Sequence, residues 1–149
     1  MSQETAGQPR VVVGVDGSDP SLSALRWAVR HARLTGSRIE AVTAWQYPVL
    51  YTWEPEGIDA DFEKTARAML AKFVAEARAQ EPDVAVRAQV AEGHPAEVLV
   101  RAADGADLLV LGCRGRGTFP TALVGSVSLH CVLRAPCPVL VHRAHPASS

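Results

Sequence analysis

The run Val11-Val12-Val13-Gly14-Val15 is apolar at every position. A strand with one face in water alternates apolar and polar residues, so an unbroken run marks a central strand of a parallel sheet, covered on both sides. Leu108-Leu109-Val110-Leu111 repeats the pattern near the far end of the chain. Parallel neighbours cannot be joined by a tight turn. Each needs a crossover, usually a helix, so these two runs already demand an α/β fold.

The intervening chain supplies the crossovers. Asp16-Gly17-Ser18-Asp19-Pro20 combines a turn, a cap residue and a proline suited to a first helical turn. Leu22, Leu25, Val29 and Ala32 follow at helical spacing, and Gly36 fits the helix end. Ile39 to Trp45 reads as strand two. A helix from about Asp59 to Gln80 carries Phe62, Ala66, Met69, Phe73 and Ala77 on one face, and Glu81-Pro82 ends it. Val84, Val86, Ala88 and Val90 alternate with Ala85, Arg87 and Gln89, the pattern of a strand near a sheet edge. Gly93-His94-Pro95 turns into a short helix reaching about Asp104, with strand four at Leu108 to Leu111. The last helix spans roughly Ser126 to Arg134, and strand five is Pro138 to His142. The expected architecture is one domain, a parallel sheet with helices on both faces and right-handed crossovers. A chain of 149 residues buries enough surface for that.

Strand four runs into Gly112-Cys113-Arg114-Gly115-Arg116-Gly117, and a short linker later Gly125-Ser126 opens the last helix. Glycines let backbone approach a ligand without a Cβ in the way. A helix start adds free N–H groups and the positive end of a dipole, so the stretch suits an anion such as phosphate. Arg114 and Arg116 carry charge to the same place, either for phosphate or simply for solvent. No GxxxxGK[ST] occurs, and the only lysines, Lys64 and Lys72, lie on the long helix, which excludes a P-loop. A GxGxxG dinucleotide fingerprint fails at Pro120.

The spacing Gly112-x2-Gly115-x9-Gly125-Ser126 resembles the nucleotide-binding signature of the universal stress protein family, in its ATP-binding subgroup. Val11 to Ser18 resembles the family's first strand and its adenosine-contacting aspartate. Gly125 to Ser128 and Ala135 to Val141 resemble its last helix and strand. The resemblance implies a Rossmann-like fold of the adenine nucleotide alpha hydrolase type, five parallel strands in the order 3-2-1-4-5. It implies a family domain over residues 10–143, with flexible tails at 1–9 and 144–149. Winding would then reverse between strands one and four, where open α/β sheets hold their ligands.

That site would comprise Asp16 on ribose or adenine, with Gly14 and Val15 packing the base through backbone and Ala44 contacting adenine through backbone. Gly112, Arg114, Gly115, Arg116, Gly125, Ser126, Val127 and Ser128 would surround the phosphates. The ligand implied is ATP, with Mg2+ as its companion. Each residue also has a plainer role: Asp16 as a turn residue, the glycines as loop punctuation, Ser126 as a helix cap. Relatives pair through the last strand, which implies a homodimer.

Several function classes are excluded or weakened. A net charge of −1 gives no basic field for nucleic acid or an acidic membrane. The polar residues 1–9 contain no apolar core for a signal or anchor, so a cytoplasmic location is expected. Cys113, Cys131 and Cys137 are an odd number without metal-ligand or CxxC spacing, which argues for reduced thiols. Cys113 is either a small buried residue or, in its electropositive loop, a redox-responsive one. The histidines are scattered and form no nucleophile, base and orienter set, so no catalytic or metal site is expected. Trp45, Tyr47, Tyr51 and Trp53 crowd the long loop Trp45 to Ile58, as a lid, a protein-binding surface or a small satellite core. The leading expectation is a nucleotide-dependent stress-response module. The alternatives are a slow ATPase or autophosphorylating enzyme, and a nucleotide-free interaction protein.

Overall fold

The computed structural model describes residues 7–46, 58–113 and 125–143. Five strands, β1 (Arg10–Gly14), β2 (Arg38–Trp45), β3 (Val86–Glu92), β4 (Leu108–Cys113) and β5 (Val139–Arg143), form one parallel sheet. Their order is β3-β2-β1-β4-β5, as the family resemblance implies. The helices are α1 (Asp19–Thr35), α2 (Ile58–Arg78), α3 (Pro95–Ala102) and α4 (Ser126–Arg134). The tight apolar run of β1 has the expected consequence. Val11 and Val13 belong to a core shared with α1 and α2, whereas Val12 packs on the opposite face with residues of α3 and α4. The sheet is therefore covered on both sides, which is why neither face needed polar residues.

Local chemistry sets the helix ends. Ser18 caps α1 by accepting from the Ser21 N–H, and Gly36 closes the helix in the left-handed region at φ 75°. His94 caps α3, its Nδ1 accepting from the Ala96 N–H at 3.1 Å. At the amino ends of the strands, Glu40 of β2 is buried against Arg10, with Nη1 to Oε1 at 2.5 Å. The same guanidinium donates to the carbonyls of Ala102 and Asp104, so one arginine ties β1, β2 and the α3–β4 turn together.

Two strand boundaries and the buried stripe of α2 differ from the sequence reading. β3 begins at Val86, and Val84 sits buried in the preceding turn, its carbonyl accepting from Arg78 Nε at 3.0 Å. On α2 the most deeply buried side chain is Leu70, one position beyond Met69 on the stripe read from the sequence. β4 extends through Gly112 and Cys113, which pair with His142 and Arg143 of β5. Both residues thus belong to the sheet and not to a loop. Cys113 is buried, as the plainer of its two readings requires.

Candidate functional site

β1 and β4 are neighbours whose crossovers leave in opposite directions, and a crevice opens beyond their carboxyl ends. It gathers residues far apart in sequence: Gly14, Val15 and Asp16 after β1, Ala44 from β2, Gly112 from β4, and Val127 and Ser128 from α4. Gly125 and Ser126 form the start of that same helix. Arg114, Gly115 and Arg116 lie outside the described residues, as do Tyr47, Tyr51 and Trp53 of the aromatic loop.

The floor is apolar. A Cβ on Gly14 would stand 2.9 Å from methyl carbons of both Leu99 and Leu111, so glycine here leaves room for the two leucines. Val42 and Ala44 extend the same surface. Gly112 has a different neighbour. An added Cβ would meet the Pro20 carbonyl oxygen at 2.5 Å, so its absence lets β4 pass directly beside the first turn of α1.

One wall is the loop between β1 and α1. The Val15 N–H donates to the Val42 carbonyl at 2.9 Å, and the Val15 carbonyl accepts from Thr43 Oγ1 at 2.9 Å. Its backbone donor is thus spent within the protein, and what Val15 brings to the crevice is apolar contact. Asp16 Oδ1 accepts from the N–H and hydroxyl of Ser18, at 2.9 and 2.5 Å, while Gly17 takes φ 87° to make the turn. The Asp16 N–H donates to Ser21 Oγ at 3.3 Å. Asp16 is therefore a turn residue and a crevice residue at once. Among the described lining residues it is the one ionisable group.

The other wall is the start of α4. Its N-cap is Gly125 in extended backbone, and among the described residues no side chain caps the helix. The first N–H groups of any α-helix have no partner within it, so at this end they are available to an anion. Ser128 is buried and lines the crevice, whereas Ser126 is exposed. Below them Cys131 sits in the core, where burial pushes its thiol up to about 11. Among the described residues no cluster of His, Cys, Asp or Glu is placed to hold a metal ion.

Sequence reading overlooked part of this lining: Ser18, Pro20, Ser21, Val42, Leu99 and Leu111. Most are core or cap residues whose second role comes only from the juxtaposition of strands. Thr43 carried a usable signal, being a hydroxyl among the apolar residues Ala41, Val42 and Ala44 of a buried strand. Buried hydroxyls seek partners.

Fold and crevice together define a small α/β protein with a crevice at the topological switch point, where open sheets of this kind hold their ligands. The model of the universal stress protein family matches residues 9–143, and the chain belongs to that family. A universal stress protein of Thermus aquaticus is 36% identical over 135 residues, covering 89% of this chain and 97% of the relative. One from Mycolicibacterium smegmatis is 36% identical over 138 residues, covering 89% of this chain but 45% of the relative. The chain thus spans about half the length of that relative and nearly all of the other. Among solved structures, a universal stress protein in complex with cAMP superposes with a TM-score of 0.72 at 29% identity, covering 91% of this chain and 97% of that one.

Proposed function

We propose that the protein is an ATP-binding regulatory module of the stress response, whose conformation or partner choice depends on the nucleotide it holds. The observation that carries this reading is the pairing of an apolar floor with an uncapped helix start across one crevice. A purine is flat and largely apolar, and the floor of Gly14, Leu99, Leu111, Val42 and Ala44 fits its face. Phosphates are anionic, and the N-terminus of α4 fits them. Asp16 lines the same crevice, where its carboxylate would accept from ribose hydroxyls. Gly115, Arg114 and Arg116 complete the phosphate side in this reading, and Mg2+ would reach the site with the nucleotide. The location is proposed as cytoplasmic. Among the described residues no helix is long and apolar enough to cross a membrane.

A second reading is that the natural ligand is an adenine mononucleotide. The relative that binds cAMP favours it, at 29% identity over nearly the whole domain. One experiment separates the two. Freshly purified protein is heat-denatured, the supernatant is analysed for released nucleotide, and the emptied protein is titrated with ATP, AMP and cAMP, with and without Mg2+. Preference for ATP, lost in Asp16→Ala and in Gly115→Glu with the fold intact, supports the first reading. Tighter binding of AMP or cAMP supports the second. Binding of none of them, and no released nucleotide, overturns both and leaves an interaction protein.

The partner proposed is a second copy of the chain, joined through β5. That strand lies at an edge of the sheet, and beside it Leu129, Val132 and Leu133 of α4 are exposed.

A further inference from the structure

We propose that Thr43, which need not touch the ligand, is a positioning residue that sets nucleotide affinity by fixing the direction in which the chain leaves β1. The inference rests on the nucleotide reading of the crevice. Thr43 lies in β2, where its neighbours Ala41, Val42 and Ala44 fill space with apolar side chains. Valine has nearly the same shape and would fill this position equally well. The hydroxyl must therefore be explained by its partner, and that partner is the Val15 carbonyl, 2.9 Å away in a buried bond.

The place of that carbonyl gives the bond its consequence. The ladder between β1 and β2 runs from Arg10 with Arg38 to Gly14 with Val42 and ends there. Val15 is the next residue, and Asp16 follows it into the crevice. Main chain holds Val15 on its N–H side, through Val42. On its carbonyl side the hold is a side chain, so it depends on which residue stands at position 43. Ser21 grips the N–H side of the same peptide, accepting from the Asp16 N–H at 3.3 Å and donating to the Ser18 carbonyl at 2.9 Å. Two hydroxyls from different elements thus bracket the peptide that aims Asp16.

Without the Thr43 hydroxyl, the buried Val15 carbonyl loses its partner and the peptide gains alternatives. Only one of those orientations presents Asp16 and the Val15 side chain as the crevice requires. Apparent affinity then falls by the fraction of molecules in that orientation. The competent shape of the site would be unchanged, and the share of molecules that hold it lower.

The test uses the full chain and two substitutions with opposite losses. Thr43→Val keeps the bulk and removes the hydroxyl, while Thr43→Ser keeps the hydroxyl and removes the methyl. Titration with ATP, and with AMP, should show about tenfold weaker binding for Thr43→Val and less than about twofold change for Thr43→Ser. Amide hydrogen exchange without nucleotide should speed up at Asp16 and Ser18 in the valine variant alone. Urea unfolding of both variants shows whether affinity follows the hydroxyl or merely follows stability. Wild-type affinity and unchanged exchange in Thr43→Val overturn the proposal, as does an equal loss of affinity in Thr43→Ser. If the wild type binds no nucleotide, the functional reading fails, and the exchange measurement alone decides whether Thr43 holds the loop. Should Thr43→Val not fold, Thr43→Cys, with similar bulk and a much weaker donor, takes its place.

Discussion

At the scale of single residues, the glycines of the crevice are not equivalent, and their neighbours say why. A Cβ on Gly112 would collide with backbone of α1, which cannot swing aside, whereas one on Gly14 would press on the ends of two leucine side chains, which can. Gly112→Ala should therefore cost about 3 kcal/mol of unfolding free energy and Gly14→Ala about 1 kcal/mol. Urea titrations of the two variants check the order; equal costs would mean that β4 and α1 shift apart easily. Burial makes a second residue-scale prediction. The folded chain holds the Cys131 proton up to about 11, while its ordinary value is 9.0. Between those values the unfolded chain has released a proton that the folded one keeps. Stability contributed by the neutral thiol is therefore complete below about pH 9 and falls as pH rises toward about 11. Cys137 shifts in the same direction, chiefly by burial, with Arg10 opposing and Asp107 assisting. The informative quantity is thus the difference between wild type and Cys131→Ala, whose alkaline loss of urea midpoint should be shallower.

At the scale of elements, the start of α4 has been left open where α1 and α3 are closed by Ser18 and His94. Gly125 is at φ −68°, an angle open to any residue, and an added Cβ meets nothing within 4 Å among the described residues. Gly125→Asp should consequently stabilise the fold by about 1 kcal/mol, through a cap and a favourable charge at the helix start. The same carboxylate occupies the N–H groups assigned to phosphate and repels it. ATP affinity should drop more than about tenfold while the thermal midpoint rises. A fall in both would mean that α4 is not positioned as described. Element structure was also where sequence reading succeeded most. The uninterrupted apolar run of β1 and the Gly-Ser start of α4 need no tertiary information, because buried central strands and helix termini leave local signatures. The sequence places Gly112 and Cys113 in an anion-wrapping loop, because closely spaced glycines directly after a strand let backbone approach a ligand. Their strand conformation follows from pairing with His142 and Arg143 of β5, a contact invisible in the sequence, as is the approach of Pro20 to Gly112. Leu99 lines the crevice and Thr43 holds the Val15 carbonyl beside it through equally nonlocal contacts: the sequence shows one only as core and the other only as an unexplained hydroxyl.

At the scale of the whole molecule, the sheet is covered on both faces but ends at β5, and the outward side of α4 is apolar. Leu129 is 51% exposed, Val132 48% and Leu133 72%, three residues at the spacing of one helical face. One relative consists almost wholly of a single such unit, while in another the matched region is 45% of the length. The unit therefore occurs both nearly alone and within a longer chain. For this chain, a second copy meeting the first at β5 would extend the sheet and cover α4 in one step, and a two-fold axis makes both contacts self-complementary. The prediction can be made without disturbing the core. Val132→Lys and Leu133→Lys place cations in the last turn of α4, where the helix dipole favours them, and remove side chains that are already in water. Sedimentation at micromolar concentration should show a dimer for the wild type and a monomer for the double variant, with an unchanged unfolding profile when compared as monomers. The crevice lies at the opposite end of α4 from these positions, so a monomer that still binds nucleotide would show that the site is built within one chain. A monomer that has lost binding would instead tie affinity to pairing, since nothing in the double substitution touches the residues that line the crevice.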